Sequence, residues 1–407
     1  MYNNNITSQN QGGKALKKLF SRTKRFISET DKILFLAIMA ASIFGVLMVF
    51  STTICTLEDG QFISRDATVM IIAAVVGLLL TLIISAIDYE LIMKLWPIIG
   101  IVCVGLMIIT LIFGVAPESR PDARSWLAFG SIYFQTSELV KIGYVITYSM
   151  HLELCRDTIN KPISVLLLGI HAMIPIGLVV LTGDMGSALV FIFMTIAMLF
   201  FAGLHIGFFA GGGLLAIAAS PLIWLYVFGE YQKNRFLALF RPEEFPAESY
   251  QQLKGLNALG SGGFFGQGLF KGIYTQGGIV PESENDFIFT AIGEETGFLG
   301  CLIALGLLFF ICYKMIQTGK NARDFSAQIA CYGIASMIAA QVVINIGMVL
   351  MVLPVIGITL PFYSAGGTST LCLYIGVGLV FSIYRFNRSR EAVNFRLSRI
   401  ASPFSEI

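Results

Sequence analysis

Charge is what this chain has least of: Asp, Glu, Lys and Arg make up 13% of its 407 residues, about half the share of a soluble domain. A water-soluble globule of this size is excluded, because it would have too little polar surface to present. Cysteine is sparse and scattered. Cys55, Cys103, Cys155, Cys301, Cys312, Cys331 and Cys372 stand singly, without metal-ligand or CxxC spacing, so neither a disulfide framework nor a zinc site is expected. Most lie in apolar runs, where cysteine behaves as a small hydrophobe. Histidine is rarer: His151, His171 and His205 are dispersed, and His171, in mid-span, reads as helix packing. No internal repeat is evident, which weakens an inverted-repeat transporter. The formal net charge is only +2, and no nucleic-acid partner is expected.

What fills the chain is apolar: 56% hydrophobic residues, with a mean hydropathy of +0.78. The pattern predicts an all-α integral membrane protein with about ten transmembrane helices, at about 20 apolar residues per crossing. The predicted spans are Ile33–Thr53, Ala67–Ile87, Leu91–Val115, Gln135–Leu154, Ile163–Thr182, Met185–Ala202, Ile206–Phe228, Phe287–Ile316, Ala327–Leu353 and Tyr363–Tyr384. The run after Asp31 is too long for a signal h-region and lacks a small-residue cleavage site, so it reads as the first span. Residues 1–31 are expected to form a basic, disordered cytoplasmic N-terminus, 32–384 the membrane domain, and 385–407 a basic cytoplasmic tail. Both basic ends, and the basic loops around Arg156, Lys161, Lys314, Lys320 and Arg323, belong inside by the positive-inside rule. One large external loop, 229–285, joins the seventh and eighth spans. A medium external loop, Pro117–Phe134, carries Arg120, Arg124 and Trp126.

The residues able to do chemistry gather at the external end. Gly260 to Gly268 is glycine-rich, and Gly262 and Gly263 would let backbone N–H groups approach an anion. Asp286 sits where the loop enters the eighth span. There it reads either as a general base at the lipid–water boundary or as a helix N-cap. Glu294, eight residues on, or about 12 Å along one helix, is too far to share a proton and reads as a buried structural acid. Gly293 and Gly297 form a GxxxG, which favours close helix packing. Glu138 and Lys141, at i and i+3, form a buried clamp or act directly. Asp184 either caps the sixth span or points into a polar cavity. Arg124, Lys141, Arg235 and Lys254 can neutralise a diphosphate, or the loop cations among them are simply solvated. Trp126 is a site residue or an interfacial anchor. The stretch Leu353 to Ser369 holds two prolines and three glycines, which excludes a plain helix; it reads as the wall of a cavity.

Taken in order, these motifs resemble the SEDS family (shape, elongation, division and sporulation), over nearly the whole chain. They are Arg124-x-Trp126, Gln135-x-Ser137-Glu138-x-x-Lys141, Asp184 to Ala188, Tyr231 to Arg235, Tyr250-Gln251, Asp286 to Phe289 with Gly293-Glu294-Glu295, Asn345 to Met348, and Leu360 to Gly367 with Ser364. Thr136, Gly183, Glu284 and Ala365 depart from the family pattern. The polar N-terminus and the Leu360 to Ser369 stretch look slightly closer to the RodA branch than to FtsW or SpoVE. The resemblance implies a peptidoglycan glycosyltransferase of the bacterial cytoplasmic membrane. It would join glycan strands from lipid II, release undecaprenyl diphosphate at an external active face, and serve elongation or division. Asp286 would be the essential acid. Trp126, Glu138, Asp184, Gln251, Glu294 and Ser364 would support it. Side-chain cations or a divalent cation (Mg or Mn) would neutralise the leaving group. The partners implied are lipid II, the nascent strand, a class B penicillin-binding transpeptidase, and the elongation or division machinery. The competing readings are a lipid II flippase and an inactive scaffold. Clustering of charge at one face favours an interfacial enzyme over a carrier, and the intact Asp286 motif argues against a scaffold.

Overall fold

A computed structural model describes residues 30–57, 61–116, 123–130 and 132–401, with the backbone alone at Thr56, Ile132 and 389–401. The expected disorder of the N-terminal segment, together with Glu58, Asp59 and Arg120, falls outside the described residues. Ten long apolar helices follow the ten predicted runs. They are α1 Lys32–Thr53, α2 Arg65–Ala86, α3 Trp96–Phe113, α4 Thr136–Leu154, α5 Pro162–Leu181, α6 Met185–Phe201, α7 Ile206–Leu222, α8 Ile288–Lys320, α9 Phe325–Val349 and α10 Gly367–Ala401. Eight, counting α7 with the turn that extends it to Val227, are long and apolar enough to cross a bilayer, and the 17-residue α6 is shorter. α4 carries Glu138, Lys141 and Glu153, which cost it apolar character.

Local chemistry sets the helix starts. Asp31 caps α1 by accepting from the N–H groups of Ile33 and Leu34, and Ser64 caps α2 by accepting from Ala67 N–H. Proline begins α5, where its missing N–H would be unpaired anyway. The predicted third span divides: a short helix, Tyr89–Lys94, ends at Leu95, and α3 restarts with Pro97 in its first turn. α7 winds into a π-turn at Ile223–Val227, just after Pro221. It buries none of its residues, whereas α9 and α10 lie deepest in the bundle. α10 packs along α2, α9 lies between α8, α6 and α4, and α1 leans on α8.

The connections have structure of their own. Before α4, β1 Trp126–Phe129 and β2 Ile132–Gln135 pair antiparallel, Trp126 opposite Gln135, so among the described residues the all-α fold carries one hairpin. The long loop carries helices at Glu230–Ala238, Pro246–Ser261 and Ile273–Gln276. The last span begins at Gly367, not Tyr363, and its helix runs on to Ala401 through most of the expected tail.

Gly297 is not a helix-packing position. Its φ of 70° breaks α8, and an added Cβ would lie 2.3 Å from Gly266 N. Only glycine fits both that backbone and that approach.

Cross-links identify the two ends of the bundle. At one, Lys314 pairs with Asp31 at 2.8 Å, Tyr89 donates to Asp324, and Glu153 accepts from Ser326 N–H. At the other, the long connections meet: Thr368 donates to Tyr133 O, Gln135 to Asp184, and Arg235 to Val355 O. We call the second the loop end.

Candidate active site

Asp286 lies in a turn over 281–287, one residue before the N-cap Phe287 of α8. It is half-buried. The turn's carbonyls are held one after another. Gln251 Nε2 donates to Pro281 O at 2.9 Å. Asn285 N–H and Phe287 N–H donate to Glu282 O. Ala365 N–H donates to Glu284 O, Ser364 Oγ to Asn285 O at 2.7 Å, and Asn345 Nδ2 to Asp286 O at 2.8 Å. A turn with so few unpaired backbone groups holds its side chains in one place. Gln251 and Ser364 thus both hold main-chain carbonyls of the turn that carries Asp286. Asn345 was quoted only as part of a motif; a hydrogen bond from an amide to a backbone carbonyl leaves no pattern in sequence.

The wall facing this turn is the irregular segment 350–366, non-helical as expected. It is itself pinned. Gln252 Nε2 donates to Met348 O and Leu353 O, both at 2.8 Å, and Arg235 Nη1 to Val355 O at 2.8 Å. Arg235 also stacks over Tyr231, 4.3 Å from the ring centroid. Its guanidinium therefore braces the wall, a structural role that its reading as a diphosphate ligand did not include. The crevice beside Thr359, Ser364 and Ser369 is only about 10 Å³.

Asp184 does both things asked of it. One oxygen caps α6 by accepting from Ser187 N–H at 3.1 Å. The other accepts from Gln135 Nε2 at 2.9 Å and Ser137 Oγ at 3.1 Å. Gly186, on the same turn of α6, would clash with Ile356 O if it carried a Cβ, so this polar knot abuts the wall. Below it, Lys141 Nζ meets Glu138 Oε1 at 2.7 Å, with side-chain exposures of 0% and 7%. Lys141 is sealed from any ligand and is a clamp, which corrects its reading as a diphosphate ligand. Arg124 is exposed, Lys254 is half-buried over Tyr250, and Trp126 is half-buried on β1. Arg235 is half-buried like Lys254, so these two and Arg124 are the accessible cations of the four.

The glycine segment serves the protein rather than an anion. An added Cβ at Gly262 would sit 1.9 Å from Gly293 O. Gly263 has φ 56°, and its carbonyl accepts from Phe298 N–H. Gly266, Gln267 and Gly268 donate their N–H groups to Gly262, Glu294 and Glu295 carbonyls. Gly262 therefore packs the loop onto the α8 break, and Gly263 joins it there through its carbonyl. Glu294 is the buried structural acid expected: its carboxylate accepts from Tyr274 N–H at 2.7 Å, and from Thr275 N–H and Oγ1 at 2.8 and 2.6 Å. Glu295 accepts from Ser51 and Gln276.

Glu284 was noted only as a departure from a family pattern. It lies among Glu282, Asp66 and Asp286, although Asp66 comes from the start of α2. Burial pushes its carboxyl above the ordinary value of 4.5, and the three neighbouring carboxylates push it further. The native state therefore holds a proton that the unfolded chain has lost, and stability falls as pH rises from the ordinary value to the raised one. Glu284→Gln is expected to melt higher than the native protein at pH 8 and alike at pH 4, measured by thermal denaturation in detergent. Equal melting at both pH values would disprove the strain. Among the described residues no three His, Cys, Asp or Glu side chains form a group able to hold a metal ion. A magnesium-type ion held on a diphosphate needs only one or two protein carboxylates, and no step is routed through one.

A cavity of about 330 Å³ lies elsewhere, between α3, α4 and α5. Cys103, Met107, Tyr144, His171 and Leu178 line it with no charged group, so it does not suit a sugar diphosphate. His151 and His171, dispersed in sequence, meet there at 3.0 Å between their Nδ1 atoms.

Residues 31–389 match the family model FTSW_RODA_SPOVE, described as cell cycle protein. A probable peptidoglycan glycosyltransferase FtsW from Trichlorobacter lovleyi is 31% identical over 373 residues, 88% of this chain and 93% of the relative. The Escherichia coli peptidoglycan glycosyltransferase MrdB is 30% identical over 292 residues, 71% of this chain and 77% of the relative. In a solved peptidoglycan synthase complex, described as coordinating polymerization and crosslinking, one chain superposes with TM-score 0.73 and 25% identity, covering 88% of this chain and 98% of that one.

Proposed function

The chain belongs to the FtsW, RodA and SpoVE family of cell cycle proteins, and from that premise we propose that it is a peptidoglycan glycosyltransferase that polymerises lipid II with Asp286 as the base. The observation that carries this reading is the turn over 281–287, whose backbone is held from three sides while Asp286 sits half-buried at the loop end. In the reaction, the acceptor sugar's 4-hydroxyl gives its proton to the Asp286 carboxylate. The oxygen forms a bond to the donor's anomeric carbon, and the bond from that carbon to the diphosphate oxygen breaks. Undecaprenyl diphosphate leaves with the bonding pair, and Arg124, Arg235 and Lys254 are the cations placed to receive its charge.

The loop end faces outward in this reading. Support comes from the opposite end, where Arg156, Lys161, Lys314, Lys320 and Arg323 collect, as the positive-inside rule requires of a cytoplasmic face. The membrane is then the bacterial cytoplasmic membrane, and the process is elongation or division. A class B penicillin-binding transpeptidase is the expected partner. Likeness to a chain of a complex that couples polymerization to crosslinking supports this.

Proteoliposomes holding the purified full chain test the reading. Lipid II supplied only to the leaflet at the loop end should yield glycan strands, seen on a gel after lysozyme-sensitive labelling. Movement of lipid II across the bilayer without strand formation would overturn it in favour of a flippase.

A further inference from the structure

Asn345 stands near the end of α9, wholly buried, 59 residues beyond Asp286. Its side-chain nitrogen has two hydrogens, and both are used on backbone carbonyls of separate segments: Asp286 O at 2.8 Å and Ile358 O at 2.7 Å. Its Oδ1 accepts no hydrogen bond although it is buried. The amide cannot be turned over, because its oxygen would then face two carbonyl oxygens. A buried acceptor left unsatisfied is costly, and each such atom in a native fold asks for an explanation. Here the donors explain it. Only a short side chain with two N–H donors on one nitrogen can join the acid's own carbonyl to the wall: Asp has none, Ser has one, and Gln is longer.

The two segments joined are also strained. Glu282, in the turn, and Phe362, in the wall, have φ of 54° and 67°, the left-handed region that non-glycine residues seldom enter. Strain of this kind persists only where surrounding contacts over-determine it. Those contacts are three adjacent tethers across the same seam: Ala365 N–H to Glu284 O, Ser364 Oγ to Asn285 O, and Asn345 Nδ2 to Asp286 O. Ser364 Oγ accepts in turn from Leu360 N–H at 2.7 Å, so its own direction is fixed.

We infer that Asn345, with Ser364, is a positioning residue for Asp286: it touches no reacting atom, but it sets where the carboxylate stands by locking the carbonyl of the same residue to the 350–366 wall. The inference rests on the reading of Asp286 as the base. It also states what the wall is for, since the wall's unusual backbone presents the partners for these tethers.

The test is a double-mutant cycle on the full-length protein with lipid II as substrate, read as initial rates of strand formation with melting followed in parallel. Misplacing a reacting group by about 1 Å costs up to about 10²-fold. Asn345→Ala is expected to lower kcat by about 10- to 100-fold and leave KM for lipid II unchanged. In the Asp286→Asn background the same change should leave the residual rate unaltered, because no base remains to misplace. Ser364→Ala, a smaller change on the neighbouring tether, should show the same dependence on background if Asn345→Ala proves too unstable to assay. Equal fold-losses in both backgrounds, or a rise in KM with kcat unchanged, would show a merely structural role and overturn the inference. Full activity of Asn345→Ala beside an inactive Asp286→Asn would overturn it while leaving the base assignment standing. Full activity of Asp286→Asn would instead remove the base assignment itself.

Discussion

Asp286→Asn is expected to lower the rate of strand formation by about 10²- to 10⁴-fold, the range a positioned general base contributes, while leaving the main-chain tethers of its turn in place. The second half of that statement follows from the geometry. The tethers on the turn go to main-chain carbonyls, those of Pro281, Glu284, Asn285 and Asp286. An amide in place of the carboxylate leaves each of them intact. Asp286→Glu tests the same point from the other side. It keeps the acid but advances it by one methylene, and a displacement of about 1 Å is worth up to about 10²-fold. The two variants should therefore rank as native, then Glu, then Asn, with KM for lipid II little changed, since neither alters a group assigned to binding. Strand synthesis by purified protein, scored as kcat and KM separately, checks the ranking. An Asn variant that works at the native rate would end the assignment, and the lipid II polymerase reading would lose its chemistry.

How much of this site could be read in advance depended on the kind of signal. Apolar runs placed all ten helices, because hydropathy is local and survives without partners. Asp286 was legible for a similar reason: an acid at the mouth of an apolar run is conspicuous. Its surroundings were not. Asp66 joins Glu284 from the start of α2, and Asn345 and Ser364 reach the turn from 59 and 79 residues away. Such meetings are set by how helices pack, which no single segment encodes. The glycines show a different failure. Gly262 and Gly297 are places of close approach, but a missing Cβ does not say what approaches. It proved to be the protein's own backbone at the α8 break. Lys141 was assigned to the diphosphate and also to a clamp with Glu138; burial decides between the two, and burial is a tertiary property.

That decision about Lys141 carries the other large expected effect. Lys141→Met should destabilise the folded protein by about 3–5 kcal/mol, the usual result of stranding one member of a buried pair. At about 2–4 °C per kcal/mol, the melting temperature should fall by roughly 10 °C. The cause is not loss of attraction alone. Glu138 is 7% exposed, and the 2.7 Å contact with Lys141 Nζ compensates its charge; without it, a buried carboxylate is left without its cation. Glu138→Gln with Lys141→Met removes both charges and leaves neither stranded. Replacing a whole buried pair by neutral groups of similar volume is often neutral or stabilising, so the double variant should melt close to the native protein and polymerise lipid II close to its rate. Ser137, one residue before Glu138, holds Asp184, so the single variant should also lose activity through the knot that abuts the wall. The decisive comparison is the double variant's activity. Native stability with no strand formation would mean that Lys141 reaches the substrate in some state of the enzyme, and its assignment as a structural clamp would have to be withdrawn.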